Sequence, residues 1–170
     1  KNNLLTDYRV VVLGVESEEA KSVLGGVGNV DLEGLLTTSA SSLASQIALI
    51  KTLEESGARR AITFHSRVKG ARKFSVELQK SAQVLKAKGL MSGTLISDSI
   101  SGDEPAYLRT SKLHRLSKGA DHNFNVLCNS RCLSEGIDVP ELDAIVFVDP
   151  RYSKVDIVQA VGRIMRKSDE

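Results

Sequence analysis

Short uninterrupted runs of apolar and β-branched residues recur along the chain. The clearest cover residues 9–15, 61–64, 125–128 and 144–148, and a weaker one covers residues 93–96. A continuous apolar run, unlike an alternating one, is typical of a parallel strand that is covered on both faces. These runs therefore predict the strands of a parallel sheet.

Helical patterns fill the gaps between these runs. Apolar residues recur at helical spacing in residues 42–56 and 68–88, and Gly57 and Gly89 follow as expected helix ends. A third helix is predicted over residues 104–117, with its proline in the first turn. Because strands and helices alternate, the chain is expected to form an α/β fold with right-handed crossovers.

A final helix is predicted over residues 153–167, with Ser153 as its cap. At about 100° per residue, Gln159, Arg163 and Arg166 fall on one face of it. The opposite face carries apolar residues that we expect to anchor the helix on the core: Ile157, Val158, Val161, Ile164 and Met165.

The basic face of this helix suits a phosphate ligand. The guanidiniums of Arg163 and Arg166 are rigid, permanently charged forks of donors. Gly162 lets another surface approach closely. The alternative is a solvated amphipathic helix whose basic residues suit the negative end of the helix dipole.

Composition fits a soluble globular domain of 170 residues, 41% hydrophobic and 26% charged. A net charge of +2 is too small to indicate nucleic-acid binding by itself, because that depends on local clusters. Aromatic residues make up 4% of the chain and Trp is absent, which disfavours a platform that stacks bases.

Cysteine usage and hydropathy favour a cytoplasmic protein. Cys128 and Cys132 lie four apart without further Cys or His ligands nearby, so no metal site is expected. Cys128 is interpreted as a small core residue. We see no signal peptide, long apolar span or disulfide framework, and therefore expect no membrane partner. Because the chain begins at Lys1, we interpret it as a piece of a longer protein.

No phosphate-binding loop of the form G-x-x-x-x-G-K-[ST] occurs in the sequence. The glycines at residues 25–28 lack the following lysine, and residues 25–42 are predicted to form a mobile loop. Without a phosphate cradle or magnesium ligands, this chain is not expected to hydrolyse ATP alone.

Three polar stretches follow predicted strands or belong to the last helix: ITFHSR at residues 62–67, NSRCLSEGIDVP at residues 129–140 and QAVGRIMR at residues 159–166. In order and spacing they resemble motifs IV, V and VI of the second RecA-like domain of superfamily two helicases. The nearest branch is DEAD/DEAH-like and similar to type III restriction enzymes. The resemblance assigns residues 42–170 to that domain and residues 1–24 to a segment leaving a first lobe.

The resemblance implies a RecA-like three-layer α/β/α fold with a mostly parallel sheet. In this family ATP and Mg²⁺ lie between two lobes and are held mainly by the first lobe, so none is expected in this chain alone. Arg163 and Arg166 are implied to be arginine fingers, and Gln159 to orient phosphate or water. The alternative for Gln159 is a polar residue on the helix surface.

The second stretch is implied to face the nucleotide. Gly136 would let the main chain approach ATP, and Asp138 would contact its ribose. The alternative for Asp138, an Asx turn before Pro140, can coexist with that role. Glu135 is included with them as an ATP-facing residue, although it replaces an arginine that is common in DEAD-box proteins.

Nucleic-acid contacts are implied for residues that follow two of the strands. Ser130 matches the motif V hydroxyl that contacts a phosphate, and Ser66 and Arg67 are weaker candidates. For these two the alternative is a solvated loop with a helix cap. His65 is expected to be a loop histidine rather than a catalyst.

Together, the motifs predict the C-terminal motor lobe of an ATP-dependent helicase or translocase. Its partners would be the N-terminal lobe and a nucleic acid, DNA more than RNA, since motif VI begins with Gln159. One alternative is a degenerate lobe that serves as a non-catalytic docking module. Another is a different nucleotide enzyme complete within these residues.

Overall fold

The computed structural model describes residues 39–118, 123–130, 142–149, 157–158 and 161–162. Its helices and strands, in chain order, are α1 (Ala40–Ser56), β1 (Arg60–His65), α2 (Val68–Ala87), β2 (Thr94–Ser101), α3 (Ala106–Ser117), β3 (Asn123–Ser130) and β4 (Ala144–Phe147). Residues 157–158 and 161–162 are also helical. The strand predicted over residues 9–15 and most of the last helix lie outside the described residues.

The four strands form one sheet in the order β2-β3-β1-β4, and every neighbouring pair is parallel. This confirms the α/β fold and the parallel sheet predicted from the apolar runs. Because all four strands point the same way, their carboxyl ends lie together. We call this side of the sheet the C-terminal edge; it carries the last residues of the strands and the turns that follow them.

Helices cover both faces of the sheet. One apolar cluster joins α1 and α2 to the face of Ala61 and Val126, and it includes Leu53 and Leu78. A second cluster packs α3 through Leu113 and Leu116 against the opposite face, at Ile62, Phe64 and Leu127. Neighbouring residues of β1 therefore belong to different clusters, which explains why its apolar run does not alternate.

Two helix starts differ from the predictions. Helix α1 begins at Ala40 because the Ser39 hydroxyl caps it, accepting from the Ser42 N–H at 3.2 Å. Residues 40–42, which were predicted to end a loop, therefore belong to the helix. Helix α3 begins at Ala106, and Pro105 is its cap in extended conformation (ψ 144°) rather than part of the first turn. Gly57 ends α1 with φ 74°, as predicted.

Strand β2 extends five residues beyond the predicted run at residues 93–96, to Ser101, and it lies at the edge of the described sheet. Side chains bind its main chain: Gln79 Nε2 donates to the Ser97 carbonyl and Lys112 Nζ to the Ser99 carbonyl, each at 2.6 Å. Such contacts protect an end strand from pairing with another chain. Among the described helices, none is long and apolar enough to cross a membrane.

Candidate functional site

Three strands end in a row of polar side chains at the C-terminal edge. In the strand register, Ser130 of β3 lies between His65 of β1 and Ser101 of β2. All three are buried, with relative exposures between 1% and 3%. The structure therefore brings together His65 of the first stretch identified in the sequence and Ser130 of the second.

The hydroxyls of Ser130 and Ser101 are buried and have no hydrogen-bond partner among the described residues. A buried hydroxyl without a partner costs about 1–3 kcal/mol, so such groups are rare and point to a missing partner. Since Ser130 is only 1% exposed, a phosphate reaches its hydroxyl only if the atoms covering it move. Ser101 was missed because the polar end of β2 gave only a weak strand signal.

His65 is the last residue of β1, so the prediction of a loop histidine is wrong. Its Nε2 atom lies 2.9 Å from the Thr63 hydroxyl oxygen. Its ring packs at a tilt against Phe74 of α2, with centroids 4.8 Å apart. An imidazole can be buried here because it has both a polar partner and an aromatic neighbour.

Ser66 begins the turn between β1 and α2 and is bound to Asp149, which follows β4. The Ser66 N–H and the Ser66 hydroxyl both donate to Asp149 Oδ2, at 2.7 and 2.8 Å. Ser66 is exposed, but its single hydroxyl proton is engaged with this carboxylate. The structure therefore shows a contact that joins the ends of β1 and β4 rather than a free hydroxyl.

Arg67 is the N-cap residue of α2, with extended main chain (φ −134°, ψ 141°) and no side-chain cap hydrogen bond. The alternative for Ser66 and Arg67 was a solvated loop with a helix cap. Both residues are exposed, as that alternative expects, but no side chain caps the helix at Arg67. Lys69 and Arg72 are exposed on the next turn. We call Arg67, Lys69 and Arg72 the basic turn.

The basic turn opposes the usual charge preference of a helix. The first turn of α2 holds no acidic residue, although the positive end of a helix dipole favours acidic side chains there. Among the described residues, no carboxylate forms an ion pair with any of the three cations. Concentrated positive charge without neutralisation is a feature of surfaces that bind polyanions. Sequence reasoning identified only Arg67, although RVKGARK after a strand carries the signal.

The opposite edge of the sheet uses its arginines differently. Asp143 Oδ2 accepts from the N–H groups of Arg59 (3.0 Å) and Arg60 (2.8 Å), and Arg60 Nη2 lies 3.0 Å from Asp143 Oδ1. Burial alone would raise the pKa of Asp143, but hydrogen bonds from Arg60 and from both main-chain donors outweigh it and lower that pKa. The Arg59 guanidinium lies 4.2 Å from the Phe124 ring centroid. These arginines therefore stabilise the fold.

Cys128 lies in the core, as predicted, and is fully buried. Burial raises the pKa of its thiol to about 11. A thiol that stays protonated near neutral pH is a poor nucleophile and a poor metal ligand. Among the described residues, no group of three His, Cys, Asp or Glu side chains is placed to hold a metal ion.

The residues implied to face ATP lie outside the described residues: Gln159, Arg163, Arg166, Glu135, Gly136 and Asp138. Of the predicted apolar stripe, Ile157 and Val161 are half-buried, but Val158 is 68% exposed, so its assignment to the core was wrong. At about 100° per residue Val158 falls near Gly162, which is also exposed, and about 100° away from Ile157. A Cβ at Gly162 would meet nothing within 4 Å, so the described chain leaves space there.

Polar and basic residues that gather at the carboxyl ends of parallel strands are typical of the ligand-binding edge of α/β domains. Residues 44–168 match the family described as "Helicase conserved C-terminal domain". The chain belongs to this family.

Two viral relatives are similar over shorter segments. A probable helicase of African swine fever virus (isolate Pig/Kenya/KEN-50/1950) is 45% identical over 42 residues, which cover 25% of this chain. Putative helicase 22 of Sulfolobus islandicus filamentous virus (isolate Iceland/Hveragerdi) is 27% identical over 90 residues, or 53% of this chain. These matches span 5% and 15% of the two relatives' own lengths.

Solved structures share the fold. The ATP-dependent Type ISP restriction-modification enzyme LlaBIII, bound to DNA, matches 98% of this chain with a TM-score of 0.77 and 29% identity. The match covers 11% of that enzyme. The E. coli DEAD-box protein SrmB, bound to regulator of ribonuclease activity A, matches 70% of this chain and 61% of its own, with a TM-score of 0.53 and 20% identity. This second likeness concerns the fold alone.

Proposed function

We propose that this chain is the C-terminal motor lobe of an ATP-dependent helicase or translocase. The observation that carries the proposal is the family match over residues 44–168. The likeness to LlaBIII, a DNA-bound and ATP-dependent enzyme, supports it because it extends over 98% of the chain. As a lobe of a two-lobe ATPase, the chain would supply contacts to nucleotide and nucleic acid rather than a complete active site.

Nucleic acid binds along the C-terminal edge in this proposal. The basic turn provides three cations at the start of α2 that form no ion pair among the described residues, and the adjacent row of strand ends includes Ser130. Cations of this kind bind phosphates without reading sequence, which suits a motor that moves along any strand. We favour DNA over RNA because LlaBIII is bound to DNA.

Nucleotide binds at the lobe boundary in this proposal. Arg163 and Arg166 would place guanidinium forks on the γ-phosphate, and Gln159 would orient phosphate or water. Gly136 would allow close main-chain approach, with Glu135 and Asp138 facing ATP on either side. The donor set fits a triphosphate because two forks can share its charge. Bound ATP and Mg²⁺, held mainly by the N-terminal lobe, would supply the transferable phosphoryl group and its charge neutralisation.

Movement follows from two lobes that share one nucleotide. Closure would bring Arg163 and Arg166 towards the phosphates, and hydrolysis would remove the contact that favours closure. Since the basic turn belongs to the same lobe as the strand ends, each closure would also shift the contacts of the lobe with the nucleic-acid backbone. Repeated cycles would give translocation.

The test uses the full-length protein, with ATP turnover measured in the presence and absence of DNA and binding of an ATP analogue measured separately. We expect analogue binding and turnover that DNA stimulates. Nucleic-acid binding without any analogue binding would instead favour the docking module. Turnover by the isolated 170-residue chain would favour a complete enzyme within these residues.

A further inference from the structure

The Ser66 hydroxyl cannot donate to two groups at once. It carries one proton, which is directed at Asp149 Oδ2 over 2.8 Å, and the Ser66 N–H is directed at the same oxygen over 2.7 Å. What remains on Ser66 Oγ is acceptor capacity alone. Phosphate oxygens are also acceptors, so in this arrangement Ser66 offers nothing that a nucleic-acid backbone can use.

The main chain keeps the carboxylate in place over the turn. Strand β4 pairs with β1 up to Phe147, and beyond it the Val148 N–H donates to the Phe64 carbonyl at 3.2 Å. Asp149 follows directly, which brings it to the first residue of the β1–α2 turn. The contact therefore depends on the relative position of two strand ends that are 83 residues apart in sequence.

The position of Ser66 makes this contact relevant to binding. Ser66 is exposed and directly precedes Arg67, the first cation of the basic turn. A freed hydroxyl at this point would face the same ligand as the arginine. Ser130, the other serine at this edge, is enclosed at 1% exposure.

We propose that Asp149 restrains nucleic-acid binding by withholding the Ser66 hydroxyl from the phosphate backbone. While the Ser66–Asp149 contact is intact, only the basic turn binds the nucleic acid near the end of β1. Without the Asp149 carboxylate, the Ser66 hydroxyl can donate to a phosphate, and nucleic acid binds more tightly. This restraint rests on the proposed function, in which nucleic acid passes along the C-terminal edge.

The experiment measures the affinity of the full-length protein for a fluorescently labelled single-stranded DNA. Asp149→Ala removes both the charge and the acceptor, whereas Asp149→Asn removes the charge but keeps an oxygen that the Ser66 N–H and hydroxyl can share. Asn is therefore the charge-matched control. Each variant is also made in a Ser66→Ala background, and thermal unfolding verifies that all of them fold.

We expect Ser66→Ala alone to change the affinity for DNA less than about twofold, because the Ser66 hydroxyl proton is bound to Asp149 and is not available to a phosphate. Asp149→Ala should bind about 10-fold to 100-fold more tightly than Asp149→Asn, the effect of one hydrogen bond to a charged group. That difference should vanish in the Ser66→Ala background.

Two results would overturn the restraint while leaving the proposed function intact. One is a large loss of affinity in Ser66→Ala, which would show that the hydroxyl already binds phosphate. The other is an equal gain in Asp149→Ala and Asp149→Asn, which would reduce the effect to charge. If neither the unaltered protein nor any variant binds nucleic acid, the proposed function fails, and the restraint fails with it.

Discussion

Replacing Arg67, Lys69 and Arg72 together with glutamine tests whether the basic turn binds phosphates. The three side chains are exposed and form no ion pair among the described residues, so each can displace a counterion from a nucleic acid. Each phosphate contact contributes a slope of about 0.7 for single strands and about 0.9 for duplexes to the dependence of log affinity on log salt. Three contacts therefore contribute a slope of about 2 to 3.

The assay is fluorescence anisotropy of labelled DNA with the full-length protein over a range of salt concentrations. If affinity near 1 M salt is unchanged, the triple variant should bind about 100-fold to 500-fold more weakly near 0.1 M when all three contacts form. The control replaces Lys51, Lys88 and Lys118 with glutamine. These lysines lie at or near the C-terminal ends of α1, α2 and α3, whereas the basic turn lies at the N-terminal end of α2. An equal change of slope in the control would refute the reasoning, since total charge rather than the basic turn would then determine binding.

Three further predictions concern stability. Asp143→Ala should lower the free energy of unfolding by about 1–2 kcal/mol. Because the pKa of Asp143 is lowered in the fold, thermal unfolding near pH 7 should show the full loss of stability. The loss should shrink as pH falls below the ordinary pKa of 3.8. An equal loss near pH 3 would contradict this. Gly57→Ala should lower the free energy of unfolding by about 1 kcal/mol because φ is 74° at this residue. Gly70→Ala within α2 should raise it by about 0.5–1 kcal/mol. Denaturant unfolding compares the two variants, and equal effects would exclude a role for φ. Gln46→Leu should lower the free energy of unfolding by about 2 kcal/mol, because it removes the amide that lies 3.2 Å from the buried Glu77 carboxylate. Adding Glu77→Leu should recover part of this loss in the same measurement.

The core strands were predictable because their physics is local. Residues 61–64 and 126–128 are apolar or β-branched without alternation, and in the structure they lie in the middle of the sheet between two layers of helices. Strand β2 was underestimated because Ser97, Asp98 and Ser99 are polar. They are tolerated in an end strand, where side chains such as Lys112 bind the main chain.

The site was predictable in its location but not in its contacts. Polar residues after predicted strands indicated that residues 62–67 and Ser130 would meet at one edge, and the register confirms it. The Ser66–Asp149 contact joins residues 83 apart, and no local pattern identifies such a partner. The burial of His65 was missed for a similar reason, since it depends on Phe74 of the following helix.

ATP turnover by full-length Arg163→Ala and Arg166→Ala variants tests the central claim most directly. Loss of an arginine finger in a related phosphoryl-transfer site costs about 10³-fold or more in rate. We predict a loss of that order in each variant, with unchanged thermal unfolding and retained DNA binding. Turnover equal to that of the unaltered protein in both variants would contradict the assignment of this chain as a motor lobe that completes an ATPase.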